Sequence, residues 1–132
     1  MTHCEKGASA VEFALIAPLM LVLVFAIIVY GSWFWMAQSL QMLASDAARV
    51  AIAGLSEDER QGLVHGYVRS AGSGAMGLDP EGIEVSVASD AESISVQLRY
   101  AASAHPLQAF AVMLPPPPEH IVRTAVVRTG GY

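Results

Sequence analysis

The chain has 132 residues, of which 54% are hydrophobic and only 14% charged, with a formal net charge of −5. That charged fraction is well under the ~25% usual for soluble domains, and the deficit is local: residues 8–37 carry almost no charge, whereas 46–132 read as ordinary soluble protein. The acidic balance and the scattered arginines argue against a nucleic-acid partner, and Cys4, the one cysteine, excludes an internal disulfide.

Reading from the N-terminus, Glu12 stands at the head of a run in which no charged side chain appears from Phe13 to Ser45. A carboxylate in a membrane span costs roughly 2.5 to 3.5 kcal/mol on insertion scales, so its presence asks for a reason. Phe13–Ala37 forms about 37 Å of helix at 1.5 Å per residue, against a hydrocarbon core of about 30 Å. Trp33, Phe34 and Trp35, with Tyr30, cluster at the far end, where membrane-interface aromatics belong. A cleaved secretory signal fits poorly, because its apolar region is shorter and Trp35 stands where a small residue should precede the cut. Cys4 lies ahead of the apolar run, the wrong side for a lipoprotein cleavage site. Lys6 and the α-amino group on one side and Arg49 on the other leave the orientation open.

The helical pattern continues beyond the span. Leu40, Leu43, Ala47, Val50 and Gly54 recur at helical spacing, with Gln38, Gln41, Ser45 and Arg49 on another face. One helix therefore leaves the membrane and becomes amphipathic, bent locally at Pro18 and stopping at Gly54. Ser56 and Glu59 form a capping box for a second helix, each serving the other's backbone amide, with Leu63, Val64, Tyr67 and Val68 as its apolar stripe. Gly72, Gly74 and Gly77 make a flexible connector, and Asp79-Pro80-Glu81-Gly82 a turn.

The remainder reads as strand. Ile83, Val85 and Val87 alternate with polar or small residues, as do Ile94, Val96, Leu98 and Tyr100, which predicts two half-buried strands joined through Ser89 to Ser93. His120–Thr129 is a third strand, less clearly sided. Pro115–Pro118 favour extended polyproline and cannot enter a sheet interior. The fold class is α+β: a long N-terminal transmembrane and amphipathic helix, a short second helix and a small antiparallel β-sheet. Segments 8–37 (transmembrane helix), 38–54 (its amphipathic extension) and 55–132 (an α+β domain) follow. The apolar strand faces pack on the stripe of Leu40, Leu43, Ala47 and Val50.

No catalytic constellation emerges. His65, His105 and His120 match no metal-ligand spacing, and His120 reads as a solvated residue. Asp79 before Pro80 is turn chemistry. Ser70–Gly77 is glycine-rich but follows a helix and precedes no Gly-Lys-Ser/Thr, so it is not a phosphate loop. No cofactor, metal or small-molecule substrate is expected, and the chain reads as structural rather than enzymatic.

The opening stretch, Gly7 and then Glu12 at the fifth place after it, resembles the processing site of type IV pilin-like proteins. The wider pattern "GASAVEFALIAPLMLVLVFAIIVYG" resembles the TadE-like minor pseudopilins of tight-adherence (Flp-type) pilus systems. "LASDAARVAIAG" is similar to the helix those proteins carry after the span, and "TAVVRT" more weakly to their terminal strand.

The resemblance implies that residues 1–7 are a leader peptide, cut between Gly7 and Ala8 by a prepilin peptidase. It implies a bacterial inner-membrane protein with a single span, a cytoplasmic N-terminus and an extracytoplasmic 55–132 domain. Its partners would be membrane lipid, other pilins or pseudopilins and the pilus assembly machinery. Glu12 would pair with the N-terminal amine of a neighbouring subunit. Phe13 departs from the Tyr usual there in major Flp pilins, and the long chain after the span also favours the minor subunit. Against these readings stand an interfacial Glu12 that snorkels without a partner and a Gly7 that is only a flexible joint. An unprocessed single-pass envelope protein with a small binding or structural domain is the alternative.

Overall fold

The computed structural model describes residues 4–72, 77–104, 112 and 114–129. Its first element, α1 (Cys4–Ala51), is one helix that continues through Pro18. Proline has no amide hydrogen to give the preceding turn, and the flanking apolar, strongly helix-forming residues carry the helix past it.

The helix changes character along its length. From Gly7 to Ile28 nearly every residue is exposed, while Val29, Met36, Ala37, Leu40, Leu43, Ala44, Ala47, Ala48 and Ala51 are buried. Burial by the folded domain thus begins at Val29, well before Ala37. The expected stripe holds at Leu40, Leu43 and Ala47, whereas Val50 is only half-buried. The alanines between the larger side chains let the sheet approach the helix backbone closely.

The chain leaves α1 through backbone bonds from Ile52, Ala53 and Gly54 to Arg49, Val50 and Ala51. Gly54 is the stop, for a steric reason rather than a left-handed conformation. A Cβ there would lie 2.6 Å from Arg60 Cγ and 2.9 Å from the Arg60 amide nitrogen. Arg60 Nε also donates to the Gly54 carbonyl across 3.1 Å.

The second helix, α2 (Glu57–Gly72), is capped by Ser56 Oγ, which accepts from the Glu59 amide at 3.2 Å. The reciprocal half differs from expectation. The Glu59 carboxylate accepts from Leu55 N at 2.9 Å rather than from Ser56 N, because the carboxylate reaches one residue further back along the turn. Val64 and Val68 are buried and Tyr67 half-buried, but Leu63 is exposed. The Tyr67 hydroxyl donates to Asp46 Oδ2 of α1 at 3.4 Å.

Of the expected connector, Gly74 lies outside the described residues, Gly72 ends α2 in a buried position, and Gly77 adopts φ +64°. The Asp79 turn forms as a 3-10 turn over Pro80–Gly82, with Asp79 Oδ1 accepting from Glu81 N at 3.1 Å.

The strands β1 (Ile83–Ser89), β2 (Ser93–Ala101) and β3 (His120–Arg128) form an antiparallel meander in the order β1-β2-β3. The register opposes Val85 to Leu98 and Val87 to Val96, then Val96 to Ala125 and Tyr100 to Ile121. One face therefore collects Ile83, Val87, Ile94, Val96, Leu98 and Ile121 against the helices, with Val85 only partly buried. α1 covers β2 and β3, and α2 covers β1. β3 reads weakly sided because Val122 and Val126 point to solvent while Arg123 lies on the helix-facing side. Arg123 resolves its own position by donating from Nε to the Ala37 carbonyl at 3.4 Å.

Candidate functional site

Gly7, Ala8 and Glu12 all lie on the first turns of α1 and all are exposed. Ala8 and Glu12 are four residues apart, hence on one face and about 6 Å apart along the axis. No atom lies within 4 Å of where a Gly7 Cβ would stand, so packing does not account for a glycine there. The same holds of Gly31. Among the described residues, nothing from the folded domain covers this end. The site is a bare helix terminus.

Between this terminus and the domain, α1 is the one helix among the described residues long and apolar enough to cross a membrane. Phe13, Ile16, Ala17, Met20, Leu21 and Val24 line one wholly apolar face of it. Among soluble proteins, so continuous an exposed apolar surface is uncommon. The bare stretch from Ala8 to Ile28 measures about 32 Å at 1.5 Å per residue, close to the thickness of a hydrocarbon core.

The aromatic group at the far end divides. Phe34 and Trp35 remain open to solvent, at 60% and 64% exposure. Trp33 turns inward, packs on the domain core and donates from Nε1 to the Pro118 carbonyl at 3.2 Å. One turn earlier, the Tyr30 hydroxyl donates to the Pro115 carbonyl at 2.6 Å. Sequence reasoning missed this clamp between the helix and the proline segment. A signal for it existed, since prolines present carbonyl acceptors but no amide donors and leave hydroxyl or indole donors to bind them.

Elsewhere an open cleft of about 280 Å³ lies between α2 and β1, lined by His65, Val68, Arg69, Pro80, Glu81, Ile83 and Val85. It brings no nucleophile beside a base. His120 is exposed at the start of β3, and His105 lies outside the described residues. Among the described residues, no cluster of His, Cys, Asp and Glu could hold a metal ion. Among the described residues, Tyr67 and Asp90 have shifted acidities, both outside the apolar stretch. Burial, then the nearby Asp46 charge and its hydrogen bond, raise the Tyr67 phenol. The amides of Glu92 and Ser93, followed by the Ser93 hydroxyl, hold the Asp90 carboxyl below its ordinary value. These groups tie turns and helices together.

No curated protein and no solved structure matches the chain. Residues 7–49 match the model of the TadE-like protein family, a match that covers the exposed helix with its Gly7–Glu12 head and nearly all of the buried half of α1.

Proposed function

We propose that this chain is a minor pseudopilin-like membrane protein that supports assembly of a tight-adherence pilus and is processed by a prepilin peptidase. The observation that carries the reading is the bare, charge-free part of α1, which leaves the folded domain at Val29 and ends in an exposed Gly7–Glu12 head. With Tyr30 at one membrane face, Glu12 lies about 27 Å lower along the helix, near the opposite face of a core about 30 Å thick. Gly7 and Ala8 then emerge from the bilayer, where a membrane peptidase can reach the bond between them. The family match over residues 7–49 supports the pilus association.

In this reading the N-terminus is cytoplasmic, the sheet domain extracytoplasmic, and the membrane the bacterial inner one. The span occupies the bare stretch, with Phe34 and Trp35 near the headgroups and Trp33 shared between interface and domain. Partners are the peptidase, other pilins or pseudopilins and the assembly machinery.

Intact-mass measurement after co-expression with a prepilin peptidase tests the processing. The expected product begins at Ala8, and Gly7→Val should remain full length because a subsite shaped for glycine has no room for a branched side chain. A full-length parent under the same conditions would leave an unprocessed single-pass envelope protein as the function.

A further inference from the structure

The domain does not merely hang from its helix. From Tyr100 to Pro118 the chain contains no Asp, Glu, Lys or Arg, and the described part of that stretch returns to α1 at Tyr30, two residues beyond the bare segment. Two hydrogen bonds hold it there, Tyr30 to Pro115 and Trp33 to Pro118. Just ahead of the first, Leu114 is half-buried and Val112 is 91% exposed. Val112 lies three positions before Pro115, a reach of no more than about 11 Å. Pro115 and Pro116 are exposed as well. The same end of the sheet carries the Ala101–His120 pair, and from Arg123 at Ala37 through Pro118 at Trp33 to Pro115 at Tyr30 the described residues run down the helix toward the apolar stretch.

We infer that Val112, with Pro115 and Pro116, forms a second membrane contact: an apolar foot that rests in the headgroup region beside the span. The occupant is lipid rather than a protein groove, because the Tyr30–Pro115 bond fastens the foot at the end of the bare apolar stretch of α1, and the foot carries no charged or polar side chain. Aliphatic and proline side chains displace interfacial water there, and the Tyr30 hydroxyl spans the boundary with its ring in the apolar layer. The foot restrains the domain's tilt. A single span alone permits the domain to swing, whereas span and foot together fix which sheet face looks outward. This inference rests on the reading that the bare stretch of α1 spans the bilayer.

Single-cysteine variants of the full chain in a Cys4→Ser background separate the two ideas. Ile16→Cys, Val112→Cys and Ser86→Cys are labelled with an environment-sensitive dye and reconstituted into phosphatidylcholine vesicles carrying shallow or deep spin-labelled lipid. Ser86 is exposed on the outer sheet face and serves as the distant control. The expected result is strong deep quenching at position 16, and shallow quenching at 112 several-fold above that at 86. Absence of deep quenching at position 16 overturns the span and the foot with it. Quenching at 16 with equal, weak quenching at 112 and 86 overturns the foot alone.

Discussion

The Tyr30 hydroxyl donates to the Pro115 carbonyl oxygen across 2.6 Å, joining two residues that are 85 positions apart. The bond ties the proline segment ahead of β3 to the point where α1 loses its cover. Tyr30→Phe keeps the ring and removes the donor, at a cost of about 0.5 to 1.5 kcal/mol, the net worth of one hydrogen bond. Limited proteolysis of the purified protein should cut near Pro115–Pro118 faster in that variant. An unchanged cleavage rate would mean that Trp33 and packing hold the segment without Tyr30.

Val96 and Gln97 are neighbours in β2 with opposite fates, the first fully buried and the second exposed. Val96→Asp places a carboxylate without a partner in the buried cluster that also holds Leu40, and should cost several kcal/mol, on the order of 3 or more. Gln97→Asp should stay within about 0.5 kcal/mol of the parent. Urea unfolding in detergent, followed by tryptophan fluorescence, compares the two.

Two glycines on α1 and its exit should respond in opposite directions to alanine. Gly31 meets nothing within 4 Å, so Gly31→Ala should stabilise by about 0.5 to 1 kcal/mol through the unfolded chain. At Gly54 the new Cβ runs into Arg60 backbone and side chain, and Gly54→Ala should destabilise by about 1 to 3 kcal/mol. The same unfolding assay reads both signs.

Acid stability contains a contribution from Asp90. Amides of Glu92 and Ser93 at 2.9 and 2.7 Å stabilise its charged form, and its folded-state acidity is correspondingly increased. The contribution is fully present above the carboxyl's unfolded value and is lost as pH falls through the folded one. Asp90→Ala should therefore be less stable than the parent near neutrality and converge with it in strong acid. Thermal melts across an acid pH series show whether the curves meet.

Glu12 bears on assembly if the proposed processing holds. Cleavage would create an ammonium at Ala8, one turn from the carboxylate, and a staggered neighbour could offer its own. An uncompensated buried partner costs about 3 to 5 kcal/mol, enough to reject a wrong register. Glu12→Ala should give a stable, inserted and still processed protein in cells that make few or no pili. Normal piliation at normal abundance would reduce Glu12 to a snorkelling interfacial residue.

The periodicities alone determined the element order and most of the faces: the apolar tract with Glu12 at its head, the Ser56 cap, and the period-two runs at Ile83–Val87 and Ile94–Tyr100. Such signals are local, set by how side chains alternate or recur along one element. What tertiary structure decided is where separate elements meet. Hydropathy could not divide α1 at Val29, because the uncharged run of apolar and aromatic residues continues past that point to Ala37, and the arriving sheet and proline segment mark the division. It could not side β3 either, since Val122 and Val126 are as apolar as Ile121 and pairing register alone sends Arg123 toward Ala37. Trp33 and Trp35 look alike as interfacial aromatics in the sequence. A rotation of about 200° around the helix axis separates them, and the carbonyl of Pro118 claims only the one that faces it.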